Sequence, residues 1–252
     1  MPTSNHFLFT TSWDDGHPLD IRLAELLDKY NLRGTFYIPA TNAEGRDTIV
    51  GSDLRDLAST FEIGGHTFHH IYLDKLDLRR ASQEIVAGKD YLEQKIGKSI
   101  AGFCYPGGKY NQNIRKLVIN AGFEYARTIA NFSLTPGNDV YQLSTTLQFF
   151  NHGKLTYIKN YLDNIYLNGI NFPLLFTCLS SSNLSARLDR ILEFSIKHGG
   201  IFHLWGHSWE IEQQQAWKLL DAFFARTNSL LDKNIRIDNH QIARIITSET
   251  VQ

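Results

Sequence analysis

Residues 7–38 read FLFTTSWDDGHPLDIRLAELLDKYNLRGTFYI. Phe7 to Ser12 is rich in aromatic and β-branched residues and predicts a strand that ends in the turn Trp13-Asp14-Asp15-Gly16. Leu19, Leu23, Leu26 and Leu27 recur at helical spacing, so Leu19 to Tyr30 predicts a helix. Gly34 to Ile38 then predicts a second strand. A strand, a helix and a strand in succession make a βαβ unit, which implies parallel pairing and a right-handed crossover.

The same alternation continues outward from this stretch. Strands are expected over Phe61 to Gly65, Ala101 to Tyr105, Tyr125 to Thr128, Leu174 to Cys178 and Gly200 to Leu204. Helices are expected over Ser52 to Ser59 with Ser52 as N-cap, Leu78 to Ile96 closed by Gly97, and Asn111 to Ala121. Further helices fit Thr156 to Leu167, Ser185 to His198 and Glu212 to Thr227, and a short strand and a helix finish the chain. Residues 130–153 show little periodicity. No repeat, low-complexity segment or linker divides the 252 residues, which suit one α/β domain. Seven or eight βα units suggest a barrel, and a doubly wound open sheet is the alternative.

Composition narrows the function classes. The formal net charge is −1, from 25 Lys+Arg against 26 Asp+Glu, and no dense basic stretch marks a nucleic-acid partner. The two cysteines, Cys104 and Cys178, imply no disulfide framework and fit a reducing compartment. The segment MPTSNHFLFTTSWDDGH has neither a basic start nor a long apolar run, and no 18-residue apolar stretch predicts a membrane span. The expectation is a cytoplasmic protein of unread oligomeric state. The 16 Phe and 11 Tyr fit sugar-stacking platforms or an aromatic core.

Candidate chemistry gathers just after predicted strands. Asp14 and Asp15 are adjacent carboxylates on a tight turn, which repel unless a cation or base is near. Gly16 permits the turn. His66 and His70 are four apart, so on a helical turn they share a face and chelate one ion. Two histidines and one carboxylate form a facial set with open positions, and the other Asp is left as a base. His207, in LWGHSWE at 204–210, is a candidate general acid, and His203 competes with it. Trp205 and Trp209 are candidates for stacking on a ring, or for packing.

Over residues 7–210 the chain resembles the polysaccharide deacetylase family, the NodB-homology group also called carbohydrate esterase family 4. Thr10 to Ile38 is similar to its Thr-Phe-Asp-Asp-Gly motif, helix and Thr-Phe-Phe strand, and His66-Thr67-x-x-His70 matches its His-[Ser/Thr]-x-x-His motif. The resemblance implies a distorted (β/α)7 barrel and a metal-dependent deacetylase of an N-acetylated sugar. It implies Asp14 as base, Asp15, His66 and His70 as ligands of a divalent metal, and His207 as the acid that protonates the leaving amine. Zinc is the first expectation, with Co, Fe, Ni or Mn as alternatives. Phe103-Cys104-Tyr105-Pro106-Gly107-Gly108 stands at the family's groove motif, which makes Tyr105, Pro106, Gly107 and Gly108 candidate substrate contacts, with a backbone N–H of Gly107 or Gly108 as oxyanion donor. Cys104 replaces the Arg that usually pairs with the base, and Arg127 is expected to supply that charge from the next strand. The Asp-Trp segment of the family is replaced by Ile129-Ala130-Asn131-Phe132. The expected substrate is an N-acetyl sugar, leaning to a nucleotide-linked or lipid-linked glycan precursor. An inactive sugar-binding relative and a hydrolase of small amides are the rival readings.

Overall fold

The computed structural model describes residues 7–137, 139–169, 171–181 and 183–250. In chain order it runs β1 Phe7–Asp14, α1 Asp20–Lys29, β2 Thr35–Ile38, α2 Gly51–Thr60, β3 Glu62–Gly65, α3 Leu78–Ile96, β4 Gly102–Cys104, α4 Gln112–Asn120 and β5 Tyr125–Arg127. It continues with β6 Leu147–Gln148, α5 Lys154–Asn168, α6 Phe172–Leu179, α7 Leu184–His198, β7 Gly200–Gly206, α8 Ser208–Gln213, α9 Trp217–Leu230 and α10 Asn239–Thr250.

The seven strands form one sheet in the order β5-β4-β3-β2-β1-β7-β6, and every pair is parallel. This order steps round a ring without the reversal of a doubly wound sheet, so it is barrel order. The ring is sealed irregularly. Between β5 and β6 the segment around residues 128–146 replaces a ladder: Leu143 donates to the Ala126 carbonyl and Thr128 to the Leu143 carbonyl, each at 2.9 Å. The fold is therefore a distorted (β/α)7 barrel.

Strand alternation sorts the side chains. Phe9, Trp13, Phe36, Phe202 and Leu204 face the helices and join the main apolar core. Thr10, Ser12, Asp14, Thr35, Tyr37, Tyr125, Arg127, His203 and Trp205 hold the opposite parity, and most are buried. The lumen is polar and extensively hydrogen-bonded. Tyr37 donates to Tyr125 (3.1 Å), Tyr125 to Glu62 (2.7 Å), and the Asn239 amide to Tyr37 (3.0 Å). Thr10 in turn donates to Asn239 (3.1 Å), which ties the start of α10 into β1.

Several elements differ from the sequence expectation. Leu174 to Cys178 lies in helix α6, because Asn171 caps the Leu174 N–H and Pro173 sits in the first turn. A short apolar run has no period that separates helix from strand. Strand β6 is only two residues long and carries no pattern. The helix expected from Glu212 breaks into α8 and α9, with Gln215 left-handed at φ 52° between them. Val50, not Ser52, precedes the first turn of α2, with no side-chain cap. The expected closing strand is a single bridge, Phe9 to Arg236.

Candidate active site

Asp14 is the last residue of β1 and keeps the strand's inward parity. Asp15 follows in the left-handed region at φ 79°, which swings its carboxylate off the strand path and over the barrel mouth. Gly16, at φ 60°, continues the turn, where a Cβ would sit 2.6 Å from Ile38 Cγ2. β3 delivers His66. The segment that follows is not a helical turn: Thr67 (φ 66°) and His70 (φ 55°) are both left-handed, and these bends bring the two rings to 5.0 Å. The two histidines thus converge by backbone strain, not by the i, i+4 face of a helix.

Asp15 Oδ1 lies 3.0 Å from His70 Nε2 and 3.6 Å from His66 Nε2, and it is a buried oxygen with no hydrogen-bond partner. Asp15 Oδ2 accepts the Trp209 indole N–H at 2.9 Å. His66 Nδ1 meets the Cys104 carbonyl at 2.8 Å, which puts the ring proton there and leaves Nε2 as a lone pair facing Asp15. Burial alone would raise the Asp15 carboxyl, but His66, His70 and the field of His207 hold it far below the usual carboxylate range. An ionised carboxylate oxygen without a donor, facing two imidazole nitrogens, fits a divalent cation through one oxygen and two nitrogens. The ligand atoms of Asp15, His66 and His70 all lie within 4.8 Å of one another.

Asp14 faces a different environment. Arg127, fully buried at the end of β5, donates from Nη2 to Asp14 Oδ1. Cys104 is paired with Arg127 across the β4–β5 ladder, and its Sγ lies 3.7 Å from Asp14 Oδ2. Burial pushes the Cys104 thiol well up, so it stays protonated and points an S–H at the carboxylate. Arg127 is flanked by the rings of Tyr37 and Trp205, at 5.0 and 5.1 Å from its guanidinium carbon.

His207 follows β7 and precedes α8. Its Nδ1 meets Glu210 Oε2 at 2.7 Å. Burial alone would lower the imidazole, but Glu210 with the fields of Asp15 and Asp14 raises it to about 9. His203 is different in kind. It is buried within β7, its Nε2 is 2.8 Å from Ser12 Oγ, and burial with the charge of Arg127 holds it well below the ordinary histidine value.

These groups meet in one pocket of about 270 Å³, lined by Asp14, Asp15, His66, His70, His207 and Trp209 among others. Trp205, Gly107 and Ile129 also line it. Tyr105, Pro106 and Gly108 do not. The Tyr105 ring is buried, stacks on Tyr110, and donates its hydroxyl to the Tyr141 carbonyl. Sequence reasoning did not single out Glu44, Arg46, Tyr72 and Glu210. Arg46 stacks on Trp209 at 4.0 Å and pairs with Glu44. Of these, Glu210 carried a readable signal, since it follows His207 by three residues at a helix start. The loop that holds Glu44 and Arg46 carried none.

Residues 4–126 match the family model described as polysaccharide deacetylase. Over this stretch, just under half of its length, the chain is similar to the polysaccharide deacetylase family. The pair Asp14-Asp15, His66 and His70 fall inside the match, whereas Arg127 and His207 lie beyond it. The chain is 24% identical over 123 residues to a peptidoglycan-N-acetylglucosamine deacetylase of Bacillus cereus, a match covering 48% of this chain and 56% of that protein. The chain thus spans little more than half the length of that curated relative. Among solved structures, a Mycobacterium smegmatis protein assigned provisionally to the polysaccharide deacetylases superposes with a TM-score of 0.67 at 17% identity, over 99% of this chain and 93% of that one. The chitin deacetylase of Colletotrichum lindemuthianum superposes with a TM-score of 0.58 at 15% identity, over 93% and 86%. At these identities the two structures speak for the shared barrel.

Proposed function

We propose that this protein is a metal-dependent deacetylase that hydrolyses the acetamido group of an N-acetylated sugar. The observation that carries the reading is the meeting, in one pocket, of a cation-fitting triad, a carboxylate paired to a buried arginine, and a histidine paired to a carboxylate.

Asp15, His66 and His70 would hold the ion, with zinc the first candidate for an oxygen and two imidazole nitrogens. Such an ion, when bound, acidifies water and polarises a carbonyl. Asp14 is the base that takes a proton from the attacking water, and Arg127 fixes its carboxylate in the pocket wall by donating to Oδ1. The water oxygen bonds to the acetyl carbon, and the carbonyl oxygen becomes an oxyanion. In the Tyr105–Gly108 turn the Gly108 N–H already donates to the Tyr105 carbonyl at 2.8 Å, which leaves Gly107 to face that oxygen. The C–N bond then breaks as His207 gives its proton to the departing amine, and acetate is released. Glu210 takes the Nδ1–H of His207, so Nε2 carries the transferable proton. Raised to about 9, His207 stands protonated at neutral pH, as an acid requires.

A pocket of about 270 Å³ suits a single N-acetyl sugar unit, with Trp205 and Trp209 as walls. This supports a monomeric or terminal acetamido sugar, such as a glycan precursor. The test pairs elemental analysis with acetate release from a panel of free, nucleotide-linked and oligomeric N-acetylglucosamine. One metal per chain is expected, with acetate released, Asp14→Asn keeping metal and losing activity, and His66→Ala losing both. Metal bound with no acetate from any sugar would overturn the deacetylase reading, and no metal after zinc or cobalt is added would overturn the mechanism.

A further inference from the structure

We propose that the outer faces of α5 and α6 form the interface of a symmetric dimer of this chain. The inference is independent of the chemistry at the barrel mouth.

The hairpin is held from within. Tyr157 and Tyr161 are buried on the inner side of α5, edge-on to Phe132 at 6.3 and 5.9 Å. Arg187 of α7, itself buried, donates to the Tyr157 hydroxyl and to the Cys178 carbonyl, both at 3.1 Å. The Tyr161 hydroxyl accepts the Asn171 N–H at 2.8 Å, which fixes the start of α6 against α5. The outer faces are therefore rigid surfaces.

Those faces are apolar. Leu155, Ile158, Leu162 and Tyr166 stand at i, i+3, i+7 and i+11, a single stripe on α5. Their exposures are 82%, 36%, 59% and 94%, and Phe172 and Phe176, one turn apart on α6, are exposed by 62% and 73%. Together these six residues present on the order of 800 Å² of accessible surface, the per-partner area of a standard stable interface. The largest apolar patch of an ordinary monomer is about 300–600 Å².

The pattern is complementary to itself. Two copies of α5 laid antiparallel about a two-fold axis between residues 160 and 161 set Leu155 opposite the partner's Tyr166, and bring Ile158 to within one residue's rise of the partner's Leu162. The same axis brings Lys159 to within one residue's rise of the partner's Asp163. Within one chain these two charges already pair at 3.1 Å and are exposed beside the stripe, so association would close a four-charge ring. A lipid surface is the other apolar partner to weigh, but it calls for a basic rim. Here the flanking charges are of both signs: Lys154, Lys159, Arg190 and Lys197 stand with Asp163 and Glu193, so the rim is mixed.

Sedimentation velocity of the full chain, from about 1 to about 100 µM, should show a concentration-dependent dimer. Lys159→Asp and Asp163→Lys should each weaken it about tenfold, since each places two like-charge contacts across the axis. An equimolar mixture of these two variants should recover the dimer, because every cross-axis pair is then of opposite sign. Leu162→Glu should leave a folded monomer that melts with the wild type at concentrations where the wild type is itself monomeric. A monomer across the whole range would overturn the proposal, as would a dimer that survives Leu162→Glu. So would a solution monomer that floats with phosphatidylserine vesicles and detaches on Tyr166→Glu, which would identify the face as a membrane contact.

Discussion

Asp14 and Asp15 are neighbours in sequence with opposite surroundings. One backbone dihedral, φ 79° at Asp15, separates them. Asp14 lines the pocket from the lumen side, where Arg127 pairs with it; Asp15 lies over the mouth beside two imidazoles. The Asp14–Arg127 pair is fully enclosed, so losing one partner strands a charge. Arg127→Met should cost about 3–5 kcal/mol of stability, as expected when a buried pair is broken. Adding Asp14→Asn in the same chain should restore most of it, because both charges are then gone. Urea unfolding of the two single variants and the double variant measures this coupling; additive costs would show that the pair does not act as a unit.

At the scale of elements, the loop that carries His66 and His70 rests on a helix. Gly88 lies in α3, and a Cβ there would sit 2.7 Å from the Thr67 carbonyl carbon and 2.8 Å from its oxygen. Helix propensity alone predicts that Gly88→Ala stabilises by about 1 kcal/mol. Contact with backbone predicts the opposite sign, about 1–3 kcal/mol of destabilisation. The loop between His66 and His70 should yield, so metal affinity should fall along with thermal stability. A Gly88→Ala chain with raised melting temperature and unchanged metal affinity would show that α3 does not support the loop. The legibility of elements followed their length. The long periodic helices α3 and α7 were read within a residue or so, whereas β6 and α6, too short to show a period, were missed or mistaken for another element.

At the scale of the whole molecule, the polar lumen couples stability to pH. Glu62 accepts from Thr35 (2.5 Å), Tyr125 (2.7 Å) and the His240 N–H (3.1 Å), linking three strands to α10. Burial, with the nearby charge of Asp238, pushes it up to about 7 against these hydrogen bonds. The folded chain then holds a proton that the unfolded chain has released. Its contribution is full below the unfolded value near 4.5 and is lost as pH rises through about 7, on the order of 3 kcal/mol in all. Glu62→Gln should remove this slope, so that the variant gains on the wild type between pH 5 and pH 8 in urea unfolding. Equal pH dependence of the two proteins would show that Glu62 ionises freely in the fold.

Alternating strands and helices determined a parallel α/β fold, because a 3.6-residue and a two-residue period are written directly in the order of apolar residues; the strand order decided barrel over doubly wound sheet. The Asp-Asp-Gly and His-x-x-x-His spacings determined which side chains could gather. The tertiary structure decided the rest. Left-handed backbone at Asp15, Thr67 and His70 aims the triad, and no periodicity in the sequence announces it. The Arg127–Asp14 contact spans 113 residues and depends on the curled sheet bringing the end of β5 across the lumen from β1. That His203 is buried against Ser12 while His207 lines the pocket is likewise a property of the closed barrel and of no local stretch of chain.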